Sequence, residues 1–262
     1  MSTQITVDKD LVKYLEKVGY RSDPVIDQLV KETTALGSVA QMQIAPEQGQ
    51  FLEIIVKISQ SNKCLEIGRF TGLSTLCMAK GLPETGSITT IDNSDEFLPI
   101  AQKYWQMAGV SNKIVSIIGA GAEVMQSFID RQYFFDLIFI DAFDAEGMSE
   151  IVQGLDFFMS CKDLLSADGI LVINLWGSQN ENFKQLVNEI GITFEWRVLF
   201  LPVRKRGNII ALAFPADFPA VSMKTIRRRA KYLDNQYQIE FLDFIKDLKR
   251  NNGVTLNKVI TE

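Results

Sequence analysis

Leu65-Glu66-Ile67-Gly68-Arg69-Phe70-Thr71-Gly72 is the stretch whose reading decides the fold. Residues 64–67 form a short, mainly apolar run suited to a buried strand, and two glycines four residues apart follow it. A helix is expected beyond the turn, over residues 74–80. A strand that passes through a glycine turn into a helix is the opening unit of a parallel α/β sheet. Working outward, the alternation repeats, with strands over 87–91, 114–118, 135–140 and 170–175 and helices over 96–108, 123–129, 149–164 and 180–189. Two further strand-like runs, 195–203 and 208–214, are joined only by Arg204-Lys205-Arg206-Gly207. So short a link holds no crossover helix, and the pair reads as an antiparallel hairpin. The expected fold class is α/β: a Rossmann-like, doubly wound, seven-stranded, mostly parallel sheet with an antiparallel C-terminal hairpin and helical N- and C-terminal extensions.

Three segments follow: a helical extension over 1–60, the Rossmann-like domain over 61–215, and a second helical extension over 216–262. Residues 1–40 read as polar and surface-lying, and Asp23-Pro24 and Ala45-Pro46-Glu47 are helix-start signals. Phe51, Ile54, Ile55 and Ile58 recur at helical spacing and make one apolar face of the second of these helices. The C-terminal stripe Ile226, Ala230, Leu233, Tyr237, Phe241, Ile245 and Leu248 predicts one or two helices packed on the domain or on a second subunit.

Composition excludes several chemistries. The 262 residues contain no histidine, which removes Ser-His-Asp and Cys-His catalysis, His-ligated zinc and a histidine general base. Lys and Arg number 27 against 32 Asp and Glu, a net charge of −5 that argues against bulk nucleic-acid binding. Arg227-Arg228-Arg229 with Lys231, and Arg204-Lys205-Arg206, lack interleaved aromatics and read as a solvated helix face and a solvated hairpin tip. Cys64, Cys77 and Cys161 are odd in number and sit in apolar runs, so free buried thiols and a cytoplasmic, reducing compartment are expected. The opening Met-Ser-Thr-Gln-Ile-Thr-Val-Asp-Lys-Asp has no signal-peptide pattern. No apolar run reaches membrane-spanning length, and no membrane partner is expected.

The turn after the first strand spaces its residues as Glu66-x-Gly68-x-x-x-Gly72. The dinucleotide fingerprint needs a second glycine at position 70, which is Phe here, so a pyrophosphate ligand is disfavoured. Gly68 and Gly72 let the backbone approach a ligand, and Glu66 can accept from an ammonium or a hydroxyl. Asp92 closes the second strand, where an acid suits a ribose diol. Together these residues describe a site for a nucleoside without phosphates, and S-adenosylmethionine is such a ligand.

Residues 41–52 (Gln41-Met42-Gln43-Ile44-Ala45-Pro46-Glu47-Gln48-Gly49-Gln50-Phe51-Leu52), the 65–72 turn, Ile91-Asp92 and Ala108-Gly109-Val110 resemble the caffeoyl-CoA/catechol type of S-adenosylmethionine-dependent O-methyltransferase. The resemblance covers about residues 10–125. It implies cofactor contacts from Glu66, Gly68, Ser74 and Asp92 and from the backbone near Ile44 and Gly121, together with a homodimer, and Arg69, Gly72, Asn93, Gly119 and Asp141 complete the expected cofactor set. Arg69 is the one candidate in the turn for clamping a cofactor carboxylate.

The second half departs from that pattern. Where the family carries Asp-Ala-Asp-Lys and Asp-Asn to hold a divalent metal, this chain has Asp141-Ala142-Phe143-Asp144 and Ile173-Asn174. Asp141 and Asn174 alone make a poor Mg²⁺ site, which argues against metal dependence, and no metal ligands are assigned. Residues 130–250 are instead similar to the spermidine-synthase-like aminopropyltransferases, through Asp141-x-x-Asp144, Asp168-Gly169 and Arg206-Gly207-Asn208. That resemblance implies that Asp141 and Asp144 hold and deprotonate an acceptor. It fails at Ala120, where that family has an acid, and at residues 1–60, which contain no β-hairpin domain.

Both chemistries are in-line attacks on a carbon bonded to a sulfonium, for which the protein supplies alignment and a proton acceptor. The leading expectation is methyl transfer to oxygen on a small-molecule acceptor, with Asp141 and Asp144 as catalytic residues. Aminopropyl transfer and a non-catalytic nucleoside-binding protein are the alternatives.

Overall fold

A computed structural model describes residues 21–141, 143–144, 147–148, 154–176, 181–202, 208–237 and 241–262. Helix α1 (Pro24–Thr34), a 3₁₀ turn (Gly37–Met42) and α2 (Pro46–Ser59) lead into the alternating series. The series runs β1 (Lys63–Ile67), α3 (Leu73–Gly81), β2 (Ser87–Asp92), α4 (Leu98–Met107), β3 (Ile114–Ile118), α5 (Gly121–Asp130) and β4 (Phe135–Ile140). A small hairpin, β5 (Phe143–Asp144) and β6 (Gly147–Met148), precedes α6 (Leu155–Asp163) and β7 (Leu165–Trp176). Then come α7 (Glu181–Thr193), β8 (Val198–Pro202), β9 (Asn208–Ala213), β10 (Val221–Ser222), α8 (Met223–Tyr237), α9 (Phe241–Asn251), α10 (Leu256–Val259) and β11 (Ile260–Thr261).

The main sheet has seven strands in the order β3-β2-β1-β4-β7-β9-β8. The first five are parallel, and β9 runs antiparallel to both β7 and β8. This is the Rossmann-like architecture the alternation predicts. Its strands are apolar along their length because helices cover both faces of the sheet: β1 and β4 are buried from Cys64 to Ile67 and at all but one position from Phe135 to Ile140. One core joins Leu65, Ile67, Ile138, Ile140 and Ile173 to α5, α6 and α7, and the other joins Cys64, Ile88, Leu137 and Phe139 to α1–α4.

Four local expectations change. The apolar stripe of α2 faces outward: Phe51, Ile54 and Ile58 are exposed, while Gly49, Leu52 and Val56 are buried. The reason is a close helix contact, since a Cβ on Gly49 would lie 2.7 Å from Cys77 Sγ, and one on Gly81 would lie 2.6 Å from the Glu53 carbonyl. Only the glycine face of α2 lets α3 approach so near. The helix expected over 149–164 is described only as Leu155–Asp163, with Gly147 and Met148 in the small hairpin and 149–153 outside the described residues. The strand expected from 195 begins at Val198, because α7 runs to Thr193 and Glu195 and Trp196 form a left-handed turn with φ of 55° and 60°. Strand β7 starts five residues early, at Leu165, and its register on β4 shifts between Phe135 and Leu137. Gly169 fits this irregularity, because a Cβ there would meet the Phe135 carbonyl at 2.9 Å.

The C-terminal stripe forms α8 and α9, whose Ala230 and Ile245 join Leu199, Phe214, Met223, Leu256, Val259 and Ile260 in a third core against the β8 edge. Asn252 finishes that edge: its amide nitrogen donates to the Phe200 carbonyl at 2.9 Å, and its oxygen accepts from the Phe200 N–H at 2.6 Å. A side-chain amide thereby serves the edge strand in place of another strand. The extended pair β10–β11 closes the extension.

Candidate active site

Strand order reverses beside β1, between β2 and β4, and open α/β sheets bind ligands outside the carboxyl ends of the strands at such a point. A cavity of about 370 Å³ lies there. It is walled by the turn after β1, the ends of β2 and β4, the loop before α5 and the segment that enters α2.

The turn is held by its own polar groups. Gly68 and Gly72 adopt φ of 95° and 81°, and Phe70 between them is also left-handed at 49°. Asp92 Oδ2 accepts from the backbone N–H groups of Arg69 (2.9 Å) and Phe70 (3.1 Å), while Oδ1 accepts from the Ser94 N–H (3.0 Å). The Gly68 N–H donates to the Ile91 carbonyl at 3.0 Å and the Gly119 N–H to the Asp92 carbonyl at 3.0 Å. Three strand ends are thus stitched together around the cavity.

Ile44, Gly68, Arg69, Ser74, Asp92, Asn93, Gly119, Gly121 and Asp141 are brought together in the cavity wall. Two expected cofactor contacts lie behind it. Gly72 faces α4, where a Cβ would come within 2.7 Å of Ala101 Cβ and 2.9 Å of the Trp105 ring, and its carbonyl accepts from Trp105 Nε1 at 3.0 Å. Glu66 is fully buried: Oε2 accepts from Thr90 Oγ1 at 2.7 Å and from Thr75 Oγ1, and Oε1 has no partner. Burial pushes the Glu66 carboxyl up to about 7, against the opposing pull of the Ser74, Thr75 and Thr90 hydroxyls and of the nearby Arg69 charge.

Arg69 does not stand as a free carboxylate clamp. Its side chain is buried, with Nη1 donating to Ser116 Oγ at 2.9 Å and Nη2 to the Ser94 carbonyl at 2.7 Å. Desolvation lowers its pKa, and Asp92, Glu66 and Asp95 oppose that shift. Both terminal nitrogens are therefore occupied in tying the turn to β3 and the β2 loop.

Asp141, at the end of β4, is the carboxylate of the opposite wall. Its Oδ1 accepts from Asn174 Nδ2 at 3.0 Å, and its N–H donates to the Ile67 carbonyl at 3.3 Å. Burial raises its pKa and the Asn174 hydrogen bond works against the rise. Asp144 lies two residues into the β5–β6 hairpin, paired with Gly147, and its side chain falls outside the described residues. The donor set does not suit Mg²⁺: Asn174 turns an N–H toward Asp141, and the described residues hold no group of three acidic, His or Cys side chains able to ligate a metal.

Sequence reasoning missed part of the wall. Phe70 and Phe97 meet edge-on with ring centroids 4.8 Å apart and both line the cavity, as do Gln43, Ser94 and Glu96. Phe70 was legible only as the residue that breaks the dinucleotide fingerprint, and Phe97 precedes α4 with no periodic signal. Gln43 donates to Thr71 Oγ1 at 3.4 Å, and Thr33 Oγ1 to the same oxygen at 3.0 Å, so the lead-in segment and α1 both grip the turn.

Fold and cavity together define a Rossmann-like α/β protein with its ligand site at the sheet's switch point. Within that class the chain belongs to the O-methyltransferase family, whose model matches residues 16–189. It is 35% identical over 112 residues to a caffeoyl-CoA O-methyltransferase of Populus kitakamiensis, covering 42% of this chain and 48% of that one. It is also 30% identical over 171 residues to a polyamine aminopropyltransferase of Neisseria meningitidis serogroup A, covering 65% of this chain and 63% of the relative's length. The backbone resembles that of an O-methyltransferase from Bacillus cereus solved in complex with S-adenosylhomocysteine, with a TM-score of 0.61 at 22% identity over 78% of this chain and 97% of the other.

Proposed function

We propose that this chain is an S-adenosylmethionine-dependent methyltransferase that moves a methyl group to an oxygen of a small-molecule acceptor. The observation that carries the reading is the cavity itself, which sets a phosphate-free glycine turn and Asp92 on one side and a half-buried carboxylate, Asp141, on the other. The cofactor, when bound, supplies a methyl group already activated by the sulfonium. The Asp92 carboxylate retains lone pairs for a ribose hydroxyl, and Glu66, sealed behind Ser74, supports the wall from the layer behind it. Gly119 and Gly121 leave room for an adenine beside the Phe70–Phe97 pair.

Asp141 is assigned as the proton acceptor. Asn174 orients its carboxylate, and its raised pKa strengthens it as a base toward an acceptor hydroxyl. Asp141 and Asn174 make a poor donor pair for Mg²⁺, and this assignment routes no step through a metal. Asp144 is assigned to the acceptor side. The three-segment division, a homodimer and a cytoplasmic location consistent with three buried free thiols belong to the same reading.

The test is a thermal-shift titration with S-adenosylhomocysteine and with methylthioadenosine, each with and without Mg²⁺. A ligand at a hundred times its Kd adds about 2.7 kcal/mol of stability. Stabilisation by S-adenosylhomocysteine, indifferent to Mg²⁺, is expected. The aminopropyltransferase relative favours a second reading, in which methylthioadenosine stabilises more strongly. Silence with both leaves a non-catalytic protein.

A further inference from the structure

The C-terminal extension is chemically unlike the rest of the chain. Residues 216–262 carry nine Lys and Arg against six Asp and Glu, whereas the whole chain has 27 against 32. The family match ends at residue 189, before this segment begins. It is nonetheless a built structure, with its own core and the β10–β11 pair.

Between the start of α8, the end of α9 and strand β11 lies a second cleft, of about 410 Å³. Lys224 and Arg227 from α8 and Lys249 from α9 line it, with Asn257, Thr261 and Glu262. These three cations have no hydrogen-bond or ion-pair partner among the described residues. Their neighbours do: Lys246 pairs with Asp243 at 2.5 Å, Arg250 pairs with Asp247 at 2.9 Å, and Arg229 lies over the Tyr232 ring at 5.4 Å. Arg228, Lys231 and Lys258 are also unpaired among the described residues, so what distinguishes Lys224, Arg227 and Lys249 is that they converge on one cleft.

The position adds to the argument. Lys224 and Arg227 sit at the N-terminal end of a 15-residue helix that has no acid in its first turn. A helix N-terminus carries partial positive charge and favours anions, so two cations there work against the fold. Bringing Lys249 up beside them adds further repulsion, and Glu262 is the one acidic residue among those lining the cleft. A bound anion with more than one negative charge removes this repulsion, and its oxygens match the Lys, Arg, Asn and Thr donors.

We propose that this cleft binds the phosphate groups of a small molecule carrying a pyrophosphate or a comparable cluster of phosphate charge. The site is independent of the cavity at the sheet's switch point, which the glycine turn makes unsuited to pyrophosphate. The run Arg227-Arg228-Arg229 is accordingly divided: Arg227 serves the cleft, and Arg228 and Arg229 do not line it.

The test is isothermal titration of the full chain with inorganic pyrophosphate, ADP and sulfate at fixed ionic strength. Two triple variants with the same change of charge are compared, Lys224→Gln/Arg227→Gln/Lys249→Gln and Arg228→Gln/Arg229→Gln/Lys231→Gln. All six side chains are exposed, and a circular-dichroism melt verifies that both variants fold. Saturable pyrophosphate binding is expected, weakened at least about tenfold in the cleft variant and within about twofold of the parent in the other. Glu262→Gln is expected to tighten it. Tighter binding of ADP than of pyrophosphate identifies a nucleotide as the source of the phosphates, and equal binding identifies the phosphates alone; either supports the site. Pyrophosphate binding no stronger than sulfate, or equal loss in the two triple variants, overturns it. Binding of a single-stranded oligonucleotide that depends on Arg228, Arg229 and Lys231 as much as on the cleft residues also overturns it, because it reports diffuse charge.

Discussion

Two places at the same edge of the sheet, the turn after β1 and Asp141 at the end of β4, are built in opposite ways. After β1 nearly every polar group is engaged by the protein itself: Asp92 accepts three backbone N–H groups, Arg69 donates to Ser94 and Ser116, and Thr71 takes Thr33 and Gln43. After β4, the Asp141 carboxylate has one hydrogen bond, from Asn174, and opens onto the cavity. Only Glu66 Oε1 and Arg69 Nε are left without a partner there among the described residues, and a turn tied so closely to its neighbours is preorganised and presents a fixed shape to a ligand. A carboxylate with spare lone pairs is available for proton transfer. The difference is what the proposed function uses to assign binding to the one wall and proton transfer to the other.

The sharpest way to break this comparison is Asp141→Asn. Removing the base is expected to lower turnover by roughly 10²–10⁴-fold while leaving the affinity for S-adenosylhomocysteine unchanged, measured by single-turnover kinetics and calorimetry. A parallel loss of affinity would place Asp141 in the binding wall instead. The converse substitution, Asp92→Ala, orphans three N–H groups of the turn and its loop. We expect a loss of about 3–4 kcal/mol of stability in urea denaturation, together with weakened nucleoside binding.

Glu66 sharpens the comparison through pH. An ordinary glutamate in the unfolded chain titrates near 4.5, and the buried one is pushed up to about 7. Between those values the folded protein holds a proton that the unfolded chain has released, so stability falls as pH rises through the window, by on the order of 3 kcal/mol in all. Glu66→Gln keeps acceptors for Thr75 and Thr90 and is expected to flatten this dependence in denaturation curves taken at pH 4.5, 6 and 7.5. A wild-type profile already flat over that range would show that the carboxyl is ionised throughout.

The smallest effects concern α2. Gly49→Ala pushes a methyl group against Cys77 and is expected to cost about 1–3 kcal/mol, whereas Ile58→Ser, on the exposed stripe, stays within about 0.5 kcal/mol. Equal effects of the two substitutions on the thermal midpoint would contradict the packing described for this helix.

That pair of residues also marks where the sequence could and could not be read. The strand–turn–helix alternation, the closing hairpin and the switch-point cavity were legible, because period and glycine placement are local properties of the chain. The orientation of α2 was not: its apolar spacing pointed to Phe51, Ile54 and Ile58, and the buried face turned out to be the one with a glycine. Nothing in a single helix's periodicity reveals how near the next helix must come. Likewise Glu66, Gly72 and Arg69 were correctly located at the turn, but their side chains and packing faces could not be assigned to the ligand wall or the layer behind it.

The sequence by itself determined that this chain forms a mostly parallel sheet, that histidine chemistry is excluded, and that its ligand turn departs from the dinucleotide fingerprint. These follow from residue type and spacing alone. Only the tertiary structure decided which carboxylates face the cavity. Glu66 lies sealed behind the wall while Asp141 opens onto it, because solvent access and hydrogen-bond saturation are set by neighbours such as Thr75, Thr90 and Asn174, brought close by three different elements of the fold.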